Sequence, residues 1–173
     1  MDPELRQRLA SVELAVFDVD GTLTDASVIY SDEGYELQRF CVRDGQGLVW
    51  LRRAGVALAW ISGRGCGATR RRAEELGVAE LHLKSGPKAE VLEAVQARLG
   101  IGPDRTLAMG DDVPDLALFG RAAVRCCPAD AVRAVADAAD LRTVARAGFG
   151  AAREVAEAVL EAKGRDDHRG GAL

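Results

Sequence analysis

A chain of 173 residues, 48% hydrophobic and 29% charged, has room for one domain with a sizeable core and none for a second catalytic domain. A net charge of −4 gives no broad basic field for nucleic acid, and no apolar run reaches the roughly 18 residues of a membrane span, so the expected partner is a small molecule. Cys41, Cys66, Cys126 and Cys127 show no C-x-x-C spacing, and no signal-peptide stretch opens the chain; both predict a cytoplasmic protein with free thiols.

In chain order, Asp2 to Arg8 reads as a short polar lead with one helical turn. Leu14-Ala15-Val16-Phe17 is an apolar strand that ends in Asp18-Val19-Asp20-Gly21-Thr22. Gly21 turns the chain there, so the carboxylates of Asp18 and Asp20 can converge on one small volume, where they repel unless a cation sits between them. An acidic surface turn is the bland alternative, since Asp-Gly is also a hairpin signal.

Ser27–Tyr30 and Tyr35–Phe40 flank a Gly34-containing turn and predict a hairpin. Its apolar residues fall on both faces, so both need covering, by the chain's own domain or by a partner subunit. Asp44 is placed to cap the helix running to Gly55, and Arg43 beside it either flanks that cap or meets an anionic substrate.

Val56–Ile61 is a continuous apolar run, the pattern of a strand buried on both faces of a parallel sheet, and Ser62-Gly63 stands at its C-terminal end, where a hydroxyl and main-chain amides suit a phosphate oxygen. Arg70, Arg71 and Arg72 lie in a helical stretch ending at Gly77; most of them are expected to face solvent. A strand over 79–83 and a helix over 87–99 follow. Lys88 in that helix's first turn opposes the helix dipole, so a nearby anion is expected, with Lys84 as the second candidate.

Arg105-Thr106-Leu107-Ala108-Met109 is a further apolar strand, ending in Gly110-Asp111-Asp112-Val113-Pro114-Asp115. Helix capping is the bland reading of Asp112 and Asp115; otherwise Asp112 binds an ion through water and Asp115 orients a neighbour such as Lys88. A strand over 122–127, a helix over 130–138 and an amphipathic helix to about Lys163 complete a domain over 1–163, and the polar 164–173 tail is expected to be disordered. Alternating strands and helices predict an α/β fold, a doubly wound, mainly parallel Rossmann-like sheet with a hairpin flap over about 26–41 and no cap domain. Ligands of such sheets bind beyond the strand C-termini, where Asp18, Asp20, Ser62 and Asp111 all stand.

The Asp-Val-Asp-Gly-Thr run, with the acidic loop after Met109, resembles the haloacid dehalogenase-like phosphatases. The short spacings on either side of Ser62 exclude a substantial cap. Together with Gly34, Glu36-Leu37, Val42-Arg43-Asp44-Gly45-x-Gly47, Gly63-Arg64 and Gly150-Ala151-x-Arg153-Glu154-Val155, they resemble the tetrameric 3-deoxy-D-manno-octulosonate 8-phosphate phosphatases. The resemblance implies Mg2+ held by Asp18, Asp20 (through its main-chain carbonyl) and Asp111. It implies Asp18 as nucleophile, Asp20 as proton donor and acceptor, and Ser62 and Lys88 on the phosphoryl group. Thr22, Arg43, Gly63, Arg64 and Arg72 are implied at the substrate, a phosphorylated sugar acid of lipopolysaccharide precursor synthesis, in a homotetramer without nucleic-acid or membrane partners. Phe149, Gly65 and Gly67 depart from the family pattern. Two alternatives stand beside it: a phosphatase for a nine-carbon acid such as 2-keto-3-deoxynononate 9-phosphate, disfavoured by Arg64, and a non-catalytic regulatory module.

Overall fold

The computed structural model describes residues 1–165. Most of the expected tail, from residue 166 on, lies outside the described residues; Gly164 and Arg165 close α7 through main-chain bonds to Glu161 and Leu160.

Helix α1 (Pro3–Ala10), longer than the expected turn, is capped by the Asp2 carboxylate and leads into β1 (Leu14–Phe17). A separate two-stranded hairpin, β2 (Ile29–Tyr30) and β3 (Glu36–Leu37), precedes α2 (Val42–Arg53). Then come β4 (Ala57–Ser62), α3 (Gly67–Leu76), β5 (Glu80–Leu83) and α4 (Lys88–Leu99). The chain continues through β6 (Thr106–Met109), α5 (Leu116–Phe119), β7 (Val124–Cys127), α6 (Arg133–Ala138), β8 (Leu141–Arg142) and α7 (Ala151–Ala162).

The main sheet has the order β5-β4-β1-β6-β7-β8, and every pairing in it is parallel. Alternate residues of the strands enter two cores. Phe17, Leu58, Trp60, Leu107 and Met109 pack with α1, α2, α3 and α7, while Val16, Ala59, Ile61 and Ala108 pack with α4, α5 and α6. This is the doubly wound arrangement, and no cap domain interrupts the described chain: the hairpin and α2 fill the stretch between β1 and β4.

Three local expectations are corrected. Asp44 does not cap α2, which starts earlier at Val42; its buried carboxylate accepts from the main-chain N–H groups of Gly150 (3.1 Å) and Arg153 (2.8 Å), and so caps α7. The helix expected over 130–138 starts at Arg133, because the Asp130 carboxylate instead accepts from the Arg146 side chain and the Ala147 N–H. Phe40 is not part of the exposed ribbon; it stacks on Trp60 at a centroid distance of 6.1 Å and fixes the hairpin's exit to the sheet.

Candidate active site

The parallel register sets the C-terminal ends of β4, β1 and β6 side by side, Trp60 beside Phe17 and Phe17 beside Met109. Ser62 ends β4, Asp18 follows β1 directly, and Asp111 lies two residues beyond β6. The Asp18 N–H donates to the Met109 carbonyl at 3.0 Å, which carries the β1–β6 ladder up to the first aspartate. The chain then folds into a tight turn in which the Val19 carbonyl accepts from the N–H groups of Thr22, Leu23 and Thr24, and Gly21 sits at φ +97°. A side chain at Gly21 would collide with the Asp111 carboxylate.

The cleft above these strand ends holds about 170 Å3 and is lined by Asp18, Asp20, Ser62, Gly63, Arg64, Lys88, Asp111, Asp112, Pro114 and Asp115. Lys88, first residue of α4, places its Nζ 2.6 Å from Asp18 Oδ1 and 2.5 Å from Asp115 Oδ1. The nearby anion that its unfavourable place in the helix dipole calls for is therefore a pair of carboxylates. Lys84, the second candidate, is exposed at φ +52° and is absent from the cleft wall.

Carboxylate oxygens of Asp18, Asp111 and Asp115 lie within 4.8 Å of one another. Asp115 is already committed: Oδ1 takes Lys88, and Oδ2 accepts from the N–H groups of Asp111 (3.0 Å) and Asp112 (3.2 Å). It aims Lys88 and shapes the loop that presents Asp111, which leaves Asp18 and Asp111 as the acidic donors with room for an ion. Asp111 is held by the Thr22 hydroxyl, which donates to its Oδ1 at 2.9 Å. Thr22, expected at the substrate, is fully buried beneath the cleft, outside its lining, with its side chain anchoring Asp111.

One lysine among these carboxylates leaves the site short of positive charge. Burial, then the charge of Asp115, raises the Asp18 carboxyl well above the usual range against the opposing pull of Lys88. Burial likewise raises Asp111 to about 6, with Asp115 and Asp112 adding to the shift and the Thr22 hydrogen bond opposing it. Hard oxygen donors that resist ionising together fit a divalent cation such as Mg2+, whose charge would relieve the repulsion.

The Asp20 carboxylate is outside this acidic group. Its Oδ2 accepts from the Ser62 hydroxyl (2.9 Å) and its Oδ1 from the Gln38 side-chain amide (2.8 Å), with Arg64 Nε at 3.8 Å. That orientation leaves the main-chain carbonyl, rather than the side chain, as the group Asp20 could offer an ion. Arg64 donates from its main chain to Ser62 Oγ and from its guanidinium to Glu36 Oε1 at 2.9 Å, so the hairpin's second strand touches the cleft rim.

Two expected substrate residues stand elsewhere in this chain. Arg43 is exposed and donates to the Phe149 carbonyl at 3.3 Å. Arg72 lies along Gly45 and pairs with Glu75 at 2.8 Å, in the wall of a small apolar pocket with Phe40 and Trp60. In α3 the side chain of Arg72 points to α2, while the cleft lies beyond the sheet end. Gln38 was not anticipated, because a glutamine between Leu37 and Arg39 in a hairpin strand reads as a solvent-facing residue.

A doubly wound parallel sheet with paired aspartates after β1, a lysine opening α4 and an acidic loop after β6 defines a haloacid dehalogenase-like hydrolase, and the family model described by that name matches residues 68–152. The chain is 32% identical over 161 residues to 3-deoxy-D-manno-octulosonate 8-phosphate phosphatase KdsC of Haemophilus influenzae, covering 93% of this chain and 89% of that protein. It is also similar to the crystal structure of the 3-deoxy-D-manno-octulosonate 8-phosphate phosphatase of Moraxella catarrhalis in complex with magnesium ion, phosphate ion and a KDO molecule. The TM-score is 0.94 at 34% identity, over 98% of this chain and 97% of that one. The cobalt-bound Haemophilus influenzae structure superposes with a TM-score of 0.89 at 32% identity, over 92% of this chain and 94% of that one. The chain belongs to the 3-deoxy-D-manno-octulosonate 8-phosphate phosphatase family.

Proposed function

We propose that this chain is a Mg2+-dependent phosphoric monoester hydrolase that converts 3-deoxy-D-manno-octulosonate 8-phosphate to the free sugar acid and phosphate. The observation that carries the reading is the division of the cleft. Asp18 sits with Lys88 and Asp111 on one side, and Asp20, apart from them, is held by Ser62 on the other. The family relationship and the KDO-bound relative support the choice of substrate.

Asp18 and Asp111, with the Asp20 main-chain carbonyl, would hold the Mg2+, which when bound offsets the negative charge of the phosphate and of its carboxylates. A phosphoryl group entering the cleft meets the Asp18 carboxylate, whose oxygen attacks phosphorus to give an aspartyl-phosphate. Lys88 balances charge on the nucleophile and the transferring group. Ser62, whose hydroxyl rests on Asp20 in the free site, would turn to a phosphate oxygen when the substrate enters, beside the main-chain N–H of Gly63, as a loose transition state requires. Asp20, as the acid, gives its proton to the sugar oxygen as the P–O bond breaks; as carboxylate it then takes a proton from the water that hydrolyses the aspartyl-phosphate.

A homotetramer is proposed for the same chain. Tyr30 (67% exposed), Tyr35 (66%) and Leu37 (52%) leave the hairpin apolar in water, beside a site that no cap covers. Hairpins of four copies meeting about a closed symmetry would bury these residues and end the exposed strand edges. The cytoplasm is the proposed compartment, consistent with four free thiols, two of them buried in β7. Among the described residues no helix is long and apolar enough to cross a membrane.

A panel of phosphorylated sugar acids of eight and nine carbons, assayed for phosphate release with Mg2+ and with EDTA, tests the reading. The eight-carbon substrate is expected to give the highest kcat/KM, with activity lost in EDTA. A preference for the nine-carbon acid would change the substrate, and no turnover of any phosphomonoester would leave the regulatory-module alternative.

A further inference from the structure

We infer that Gln38 is a positioning residue for Asp20, aiming the proton-transferring carboxylate from the root of the hairpin. The inference rests on the proposed role of Asp20. Its physical basis is the chain of hydrogen bonds around the Gln38 amide. The Asp20 carboxylate accepts from Gln38 Nε2 at 2.8 Å. On the other side, Gln38 Oε1 accepts from the Thr69 hydroxyl and from the Cys66 thiol, 3.0 Å away.

Asp20 fixes which way the amide points. Ionised, Asp20 can only accept, whereas Thr69 and Cys66 each have a hydrogen to donate. A flipped amide would set Oε1 against the carboxylate and lose that bond, while Thr69 and Cys66, whose oxygen and sulfur also accept, would not by themselves fix the orientation. Thr69 is buried in the first turn of α3, so the anchor is part of the packed core. In the free site Ser62 holds the second Asp20 oxygen at 2.9 Å, and the carboxylate is thereby pinned from two sides, by the sheet and by the hairpin.

Proton transfer is sensitive to such placement, since a misplacement of about 1 Å can cost on the order of a hundredfold in rate. Loss of the Gln38 donor should therefore slow the steps in which Asp20 moves a proton and spare those in which it does not. Departure of a sugar alkoxide needs the proton. Departure of p-nitrophenolate, a weakly basic leaving group, does not, although hydrolysis of the aspartyl-phosphate needs Asp20 in both cases.

The test compares the intact protein with Gln38→Met, which keeps the length and loses the donor, and with Asp20→Asn, using rapid-quench kinetics on the sugar phosphate and on p-nitrophenyl phosphate. Gln38→Met is expected to lower kcat for the sugar phosphate about 10- to 100-fold with KM within about twofold. With p-nitrophenyl phosphate it should release a burst of one nitrophenol per site at a near-normal rate, followed by slow turnover. Thr69→Val should show the same pattern more weakly, and Thr69→Ser, which restores the donor to Gln38, should recover most of the rate. If Asp20→Asn shows the leaving-group dependence and Gln38→Met does not, or if Gln38→Met raises KM alone, the positioning role is overturned and the role of Asp20 stands. If Asp20→Asn itself shows no leaving-group dependence, both fall together.

Discussion

A Cβ placed on Gly21 would lie 2.2 Å from Oδ2 of Asp111, so the turn after β1 and the acidic loop after β6 meet where only a hydrogen fits. Gly21 is also at φ +97°, where an L side chain is strained. Gly21→Ala should therefore move Asp111 away from Asp18, raising the Mg2+ concentration for half-maximal activity at least tenfold. It should also cost about 1–3 kcal/mol of stability from backbone strain. Metal titrations and chemical denaturation measure the two effects separately.

Asp111 links metal, pH and stability. Its carboxyl is raised from the ordinary 3.8 to about 6, so in the metal-free protein its ionisation opposes folding, and this loss sets in as pH rises from about 4 through 6. Bound Mg2+ should reverse the sign. The melting temperature is expected to rise on adding Mg2+ at pH 7.5, and to rise much less at pH 5, where the proton competes for the carboxylate. Asp111→Asn should be at least as stable as the metal-free native protein at pH 7.5 and gain little from Mg2+. Differential scanning calorimetry at the two pH values checks this.

Asp44 gives a stability prediction separate from the chemistry. Its buried carboxylate caps α7 through the Gly150 and Arg153 N–H groups, and Gly47 and Arg153 pack α2 onto α7 nearby. Asp44→Ala should cost about 1–2 kcal/mol, the range for loss of a helix cap, with kcat nearly unchanged. Urea denaturation beside steady-state kinetics would show the split.

What the sequence made legible was the part written in contiguous residues. Apolar runs ending in Asp18, Ser62 and Asp111 marked three strands, and the parallel fold then required their ends to share one edge. What it hid depends on pairs far apart in the chain. Asp44 has the look of a local cap for α2, and its partners lie 106 and 109 residues away. Gln38 acquires its place only when the hairpin folds back over Asp20. Strand β8 is two residues long at the sheet edge, too short to leave a pattern. Arginines mislead for a related reason: Arg72 carries the charge a sugar acid would need, and helix phase directs it to Gly45 and Glu75.

The exposed hairpin yields a prediction about assembly. Removing residues 30–35 takes away the aromatic tip, and the protein should then sediment as a smaller species. KM for the sugar phosphate should rise far more than KM for a small aryl phosphate, which needs only the strand-end cleft. An intact protein that sediments as a monomer at micromolar concentration with full sugar-phosphate activity would end the tetramer proposal.

The central claim is that Asp18 forms the covalent bond to phosphorus, and trapping the intermediate tests it most directly. Enzyme mixed with substrate and Mg2+, quenched within milliseconds and reduced with borohydride, converts an aspartyl-phosphate to homoserine, which peptide mass spectrometry locates. Homoserine at position 18, absent in Asp18→Asn and absent without Mg2+, is the predicted result. Homoserine at another aspartate, or full turnover by Asp18→Asn, would contradict the account.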